Sequence, residues 1–418
     1  MGIAVMNNPS SRLNVLVSGG GIAGNAVALQ LLRAGIQVTV VERSPAPRPG
    51  GQAVDLRGPS REAAERMGLM PTIARYQLEE LGISYVDPNG RTYANLTMED
   101  FDGKGPVAEI EITRGDLNQV LLDALAETDD RLTYRYGEWV EALDQDETSV
   151  EAVFASGHRE RFDLVIGADG VHSATRRLAF GPESDFSTFL GGYASFFTMP
   201  TPAGTRPGWF ALQLIPHAAV GLRPDGDPAT AKAILTLLAD PDPALRGDVA
   251  AQQRLIADKV GENPGWHAPA ILEAMAVADD FYFDELARID MPTLVAGRVT
   301  LAGDAGYCGS PMTGMGTAMA IVGAYVLAGE IASDPGDIPA ALRRYEDTIT
   351  PFLDKAKTLP GGGIGSMLSG NRFGTAVRRT ANRIMMARVM RPVVAKLFFG
   401  TTDDYELPDY PALSAAPN

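Results

Sequence analysis

Chemistry enters this sequence first in "LVSGGGIAGNAVALQLLRAGIQVTVVER", Leu16 to Arg43, where Gly19, Gly21 and Gly24 stand in G-x-G-x-x-G spacing between two apolar runs. The first glycine permits a tight turn, the second lets backbone approach a pyrophosphate, and the third lets helix and strand pack closely. The helix that follows then offers unpaired N–H groups to phosphate. Glu42 closes the next apolar run, where a carboxylate can accept hydrogen bonds from a ribose hydroxyl pair, with Arg43 beside it as a further cofactor-binding candidate. An acid at that position fits the adenosine ribose of either FAD or NAD and disfavours a 2′-phosphate. The motif therefore points to a dinucleotide without choosing one.

Two later stretches narrow the choice: "DLVIGADGVHSATRR" from Asp163 to Arg177, and "LAGDAGYCGSPMTGMGTAMA" from Leu301 to Ala320. In the latter, Gly303 and Asp304 end a buried strand, placing a carboxylate where it can accept sugar hydroxyls, and Pro311 stiffens the loop. Gly314, Met315 and Gly316 then open an apolar helix whose bare N–H groups can stabilise negative charge on a reduced flavin ring. Cys308 is the one cysteine, which excludes an internal disulfide and clustered cysteine metal sites, and it reads as a buried structural thiol. His158, His172, His217 and His267 lie far apart, so no metal is expected.

The elements that must position these residues follow from the pattern. "LNVLVSG", "IAGNAVALQLLRAG" and "IQVTVVER" form a parallel strand-helix-strand unit, and "FDLVIGADG" and "GRVTLAGDAG" return to the same buried sheet. "PNG" between "ISYVD" and "RTYANL" predicts a hairpin. Leu132 to Asp169 reads mostly as strands, and Gly181 to Phe283 as an aromatic-rich, mainly antiparallel sheet. The fold class expected is α/β: a Rossmann-type domain with a parallel sheet and β-meander, interrupted by a mainly antiparallel β-sheet substrate domain, plus C-terminal helices. Its nucleotide-binding parts are expected at 12–75, 106–180 and 287–358, the substrate-domain hairpin at 76–105, the substrate domain at 181–286, and the helical segment at 359–418, opened by a flexible "GGGIGSMLSG" joint.

The chain has 418 residues, 45% of them hydrophobic, and a formal net charge of −16, which disfavours nucleic acid and anionic lipid as partners. "MGIAVMNNPSSR" has neither the basic start nor the apolar run of a signal peptide, and "TAMAIVGAYVLAGEI" is shorter than a membrane span needs. A cytoplasmic protein with no membrane span, monomeric or homodimeric, is expected. The basic tail "NRFGTAVRRTANRIMMARVMRPVVAKLFF" allows a membrane-surface helix, but packing across the two domains explains its apolar residues more simply.

Taken in order, the three motifs resemble the fingerprints of the FAD-dependent aromatic hydroxylases, single-component flavoprotein monooxygenases related to para-hydroxybenzoate hydroxylase. The likeness covers about the first 350 residues. It implies FAD as cofactor, with Glu42 on the adenosine ribose, Arg114 of "TRGDL" near the ribityl and phosphate region, Asp169 in the Asp-Gly pair, and Asp304 on the ribityl chain. Many relatives carry histidine where this chain has Tyr307, so Tyr307 inherits no acid-base role and is left to contact the flavin edge or to pack. "GGQAVDLRG" resembles relatives that act on polycyclic substrates, including the tetracycline-inactivating monooxygenases, and puts Arg57 beside the flavin or in a surface salt bridge.

No second strand-glycine-helix unit exists for a nicotinamide, so NAD(P)H is expected to bind transiently. The resemblance implies that it reduces FAD, that O2 adds to give a flavin C4a-hydroperoxide, and that the distal oxygen hydroxylates or epoxidises a hydrophobic, aromatic or polyketide-like molecule. Tyr193, Phe196, Phe210, Gln213 and Arg223 are candidates for the substrate cavity. The alternatives are a flavin oxidase or reductase without oxygen insertion, and a flavoprotein that sequesters its ligand without turnover.

Overall fold

The computed structural model describes residues 13–48, 50–97, 110–128, 130–263, 265–359, 363–390 and 405–414. The apolar runs around the first glycine motif become the strand Asn14–Ser18, the helix Ile22–Arg33 and the strand Gln37–Glu42. They lie inside a six-stranded sheet ordered Val295–Ala296, Val299–Leu301, Leu164–Gly167, Asn14–Ser18, Gln37–Glu42, Leu132–Tyr136, parallel except at its Val295–Ala296 edge. Its central strands read as continuous apolar runs because helices cover one face and a three-stranded meander, 140–162, packs near the other.

The helix Gly316–Ser333 packs against Ile22–Arg33, Gly58–Arg66 and Ile338–Ala356. Its eighteen residues make it long and apolar enough to cross a membrane, so length does not decide the matter as expected. Burial does, since Thr317 through Gly329 are all enclosed by protein.

A seven-stranded sheet forms the second layer, in the order Tyr282–Ile289, Ser187–Pro200, Thr230–Leu238, Ala218–Pro224, Trp209–Ile215, Gly82–Val86, Thr92–Thr97. It is antiparallel except where Trp209–Ile215 runs parallel to Gly82–Val86. The Gly82–Val86 and Thr92–Thr97 hairpin turns through "PNG", held by Asp87 Oδ1, which accepts from the N–H groups of Asn89 and Arg91 at 2.8 and 2.9 Å. Two helices that the sequence pattern did not announce, Val249–Gly261 and Ala268–Met275, cover the outer face of this sheet.

Part of the expected flexible joint is anchored: Ile364 is buried against Gly191 and Gly192, and Ser369 O accepts from His217 N at 2.8 Å. The helix Arg372–Met385 does pack on the seven-stranded sheet, but by its polar side, the reverse of the expected packing. The basic tail from Arg391 to Phe399 lies outside the described residues.

Arg223, a candidate for the substrate cavity, also ties the layers together. Its Nε donates to Glu80 Oε2 at 2.6 Å, Nη2 to Glu111 Oε2 at 2.7 Å and Nη1 to Ala53 O at 3.0 Å, reaching from the seven-stranded sheet to the Ala53–Asp55 and Glu111–Thr113 pair. Both carboxylates are buried. Removing one partner of such a bridge strands a charge, so Arg223→Met should cost about 3–5 kcal/mol of unfolding free energy. Urea titration measures this, and a loss below about 1 kcal/mol would put the bridge on the footing of a surface pair.

Candidate functional site

The glycine motif is held by close approach. Gly19 has φ 113°, and a Cβ there would lie 2.3 Å from Ala168 O. A Cβ on Gly24 would lie 1.9 Å from Gly19 O, so helix and strand touch at this point because neither residue has a side chain. Gly21 starts the helix without a side-chain cap, leaving first-turn N–H groups open to an anion. Glu42 is oriented by backbone: Oε2 accepts from Gly20 N and Oε1 from Ser44 N, both at 2.8 Å. Each oxygen keeps a lone pair for a hydroxyl donor. Arg43 is exposed and lies over the Trp139 ring at 5.8 Å.

Arg114 begins the helix Arg114–Ala126, capped by Thr113, whose side chain accepts from Asp116 N at 3.0 Å. Its backbone N donates to Gln52 O at 2.9 Å, and its guanidinium points past Gly21. The same guanidinium acts electrostatically on Asp304. Asp304 follows Gly303, whose φ of 62° turns the chain out of the strand. Its side chain is open to solvent, yet so much protein surrounds it that burial holds the carboxyl above its usual range, with Arg114 opposing.

Pro311 leads a single turn to Gly314, φ 66°, and Met315 then caps Gly316–Ser333 without a side-chain hydrogen bond. The cleft is thus bounded by two helix N-termini with no side-chain cap, by Glu42 at one end and Asp304 at the other, and by Arg114 between them.

Tyr307 lies away from this cleft. It is buried behind Gly316–Ser333, its Oη 3.3 Å from that of Tyr345 and so near Gly323 that a Cβ there would sit 2.0 Å from it. It packs, and burial pushes its hydroxyl up to about 12. Cys308 is also buried, with its thiol pushed well above the ordinary value. Arg57 precedes the helix Gly58–Arg66 and pairs with Asp55, the salt-bridge alternative for this residue, although both remain largely enclosed.

Asp169 organises its own loop. Oδ1 accepts from Ser173 Oγ at 2.5 Å, and Oδ2 accepts from Thr175 N and Oγ1 at 2.9 and 3.1 Å. Arg176, fully buried, donates to Val171 O at 2.6 Å and to Ala305 O at 2.8 Å, binding the Asp169 loop to the residue after Asp304.

Strand parity divides the substrate-cavity candidates. The paired positions Phe196–Ile234, Ile234–Gly221 and Gly221–Leu212 place Phe196, Phe210 and Arg223 on the face toward the cleft. There Phe196 stacks on Tyr282 at 5.8 Å, Arg223 lies over Phe210 at 5.4 Å, and Met312 of the glycine-rich loop packs into the same cluster. Tyr193 and Gln213 belong to the opposite face, under the two covering helices. Tyr193 stacks on Phe283 at 5.0 Å and accepts from Asp242 N at 2.7 Å, while Gln213 is fully enclosed. These two do not meet the cleft. A surface groove of about 1030 Å³ between Phe189, His217, Asp240 and Lys259 is likewise remote from it.

His172, named from the sequence only as one of four scattered histidines, lies inside the quoted "DGVHS". Its Nδ1 is 3.0 Å from Glu183 Oε1 and its Nε2 3.0 Å from Asp284 Oδ1, while Tyr282 Oη donates to the other oxygen of Asp284 at 3.0 Å. The ligating atoms of His172, Glu183 and Glu285 lie within 4.8 Å of one another, but Arg246, donating to Glu183 at 2.6 Å, already supplies positive charge there. Only tertiary structure brings residues so far apart in sequence to one point.

The family model described as "FAD binding domain" matches residues 12–255. An uncharacterized protein of Mycobacterium tuberculosis is 38% identical over 358 residues, covering 83% of this chain and 94% of its own. The FAD-dependent monooxygenase asL4 of Sarocladium schorii is 32% identical over 433 residues, covering 96% and 99%. The solved structure of the tetracycline destructase Tet(55) superposes with a TM-score of 0.78 at 31% identity, covering 96% of this chain and 99% of its own.

The two carboxylates raise His172 from 6.5 to about 9, chiefly through their hydrogen bonds. The folded protein therefore binds a proton that the unfolded chain releases, and this stabilisation is complete below pH 6.5 and lost as pH rises through about 9. His172→Gln should flatten the fall in urea midpoint across that window. An unchanged slope would show that His172 carries no folded-state proton there.

Proposed function

The chain belongs to the FAD binding domain family, and on that premise we propose that it uses NAD(P)H and O2 to insert one oxygen atom into a hydrophobic aromatic or polycyclic, polyketide-like molecule. It is a flavin-dependent monooxygenase, as its relatives of matching length are. A structural relative named for acting on tetracycline, a polycyclic molecule, supports the substrate class.

One observation carries the reading: Glu42, Arg114 and Asp304 meet two uncapped helix starts around one cleft, faced by an aromatic sheet. That donor set fits FAD. Glu42 would take the adenosine ribose, the Ile22–Arg33 helix start and Arg114 the pyrophosphate, and Asp304 the ribityl hydroxyls. The start of Gly316–Ser333 would face the ring and stabilise charge on it. Bound FAD supplies the redox chemistry, taking electrons from NAD(P)H and activating O2 for transfer to the substrate.

The chain's own work is to orient and to exclude water. Phe196, Phe210 and Tyr282 form an apolar wall on the cleft side, and Met312 closes it against the glycine-rich loop. Asp169 acts through its loop and not through a free carboxylate, since its oxygens accept from Ser173 and Thr175.

Loss of one charged acceptor to a hydroxyl is worth about 1.5–3 kcal/mol, so Asp304→Ala and Glu42→Ala should each weaken FAD binding roughly tenfold to a hundredfold with the fold intact. Flavin absorbance after dialysis reads this, and full retention of the yellow colour in both would remove the assignment. For turnover, the FAD-loaded protein is mixed anaerobically with NAD(P)H and polycyclic phenols before oxygen is readmitted. A product heavier by one oxygen supports the reading. Flavin reduction that yields only H2O2 with every phenol would favour an oxidase.

A further inference from the structure

The helix Arg372–Met385 is amphipathic, and it faces the wrong way for a helix that merely packs. Its inward side is polar: Arg378 donates to Gly365 O at 2.6 Å, Arg379 to Leu214 O at 2.5 Å, and Thr375 is buried. Its outward side carries Phe373, 80% exposed, Val377, 52%, and Ile384, 58%, at spacings that make one stripe with exposed Ala381. Exposed Arg372 and Arg383 flank the stripe.

The charge pattern says what covers this face. Nine Lys or Arg and no Asp or Glu separate Asp354 from Asp403, in a chain whose formal net charge is −16; Lys357 pairs with Asp290 and Arg378 and Arg379 turn inward, which leaves Arg372 and Arg383 as the described cations beside the stripe. An apolar stripe beside exposed cations suits the headgroup boundary of an anionic bilayer, where the side chains enter the acyl edge and the guanidinium groups meet phosphate. The acidic remainder is repelled from such a surface, which confines contact to this helix. A second copy fits less well, because an antiparallel two-fold contact through the stripe would bring Arg372 of one copy against Arg383 of the other.

We propose that the outward face of Arg372–Met385, with Phe373, Val377 and Ile384 as its apolar anchors, is a docking surface for an anionic lipid membrane. The helix rests on the strand Trp209–Ile215 through Arg379, so docking sets this part of the seven-stranded sheet toward the headgroups. The inference rests on surface chemistry and is independent of the reaction proposed above.

The test floats the purified full chain with vesicles of phosphatidylglycerol and phosphatidylcholine in equal parts, and with phosphatidylcholine alone. Binding to the mixed vesicles is expected, weaker by roughly tenfold without phosphatidylglycerol or in high salt. The triple variant Phe373→Ser, Val377→Ser, Ile384→Ser should lose roughly tenfold or more, the scale of exposing even one apolar anchor. Arg372→Gln with Arg383→Gln should lose binding selectively on the mixed vesicles. All these side chains are exposed, so melting temperature should stay at the wild-type value, and the arginine pair decides the matter if the triple variant melts early. Failure to bind the mixed vesicles, or binding that survives both sets of substitutions, overturns the proposal. A wild-type dimer that the triple variant splits, seen by light scattering with no vesicle binding, overturns it in favour of a second copy. A colourless protein that still floats would sink the flavin reading and leave this one standing.

Discussion

The contact between Gly19 and Gly24 is the constraint on which the site depends. At this point a strand end and a helix start touch so closely that one added carbon on Gly24 would lie 1.9 Å from a carbonyl oxygen. That closeness fixes the axis of Ile22–Arg33 and aims its open N–H groups out of the sheet. The neighbouring strands take their places from it: Ala168 O lies against Gly19, and Gly20 N holds Glu42. A larger residue would have to tilt the helix, and its open N–H groups would then move out of line with Glu42.

A cleft between two layers needs walls that do not drift, and here ion pairs and buried guanidiniums hold them. Arg223 reaches Glu80 and Glu111, His172 reaches Asp284, and Arg176 ties the Asp169 loop to Ala305. An apolar interface would slide or close over the cleft. Directional, charge-assisted bonds hold separation as well as attraction, at a desolvation cost that apolar packing elsewhere offsets. Arg223 also carries the Phe210 ring beneath its guanidinium, so one side chain serves the joint and the cleft wall.

Local patterns were legible, and long-range ones were not. The glycines, Glu42 and Asp304 announce themselves because turns, helix starts and strand ends are written in a few adjacent residues, whereas Arg114 is singled out only through the family resemblance. The face of Tyr193 and Gln213 could not be read, because aromatic-rich strands alternate and only register against neighbours says which side is which. Tyr307 beside Asp304 in sequence points into the core because a short helix rotates it past Gly323. His172 gains its meaning from Glu183 and from Asp284, far along the chain. For Arg372–Met385 the sequence shows an amphipathic helix correctly, but the expectation that apolar means inward fails where the inner surface offers carbonyl oxygens such as Leu214 O.

Asp304 shows how enclosure and exposure can coexist in one side chain. Its carboxylate looks into a cleft, so a water molecule can reach it, but the surrounding protein displaces the bulk solvent that would stabilise its charge. The Arg114 charge offsets this only in part, because the carboxyl is still held above its usual range. Such a group gains most from donors that arrive with a ligand, since each hydroxyl placed on the ionised form replaces solvation that the cleft has removed. A surface carboxylate offered the same hydroxyls would exchange them for equally good water. The enclosure that makes Asp304 costly on its own is therefore what would favour a ligand rich in hydroxyl groups, such as the ribityl chain proposed above.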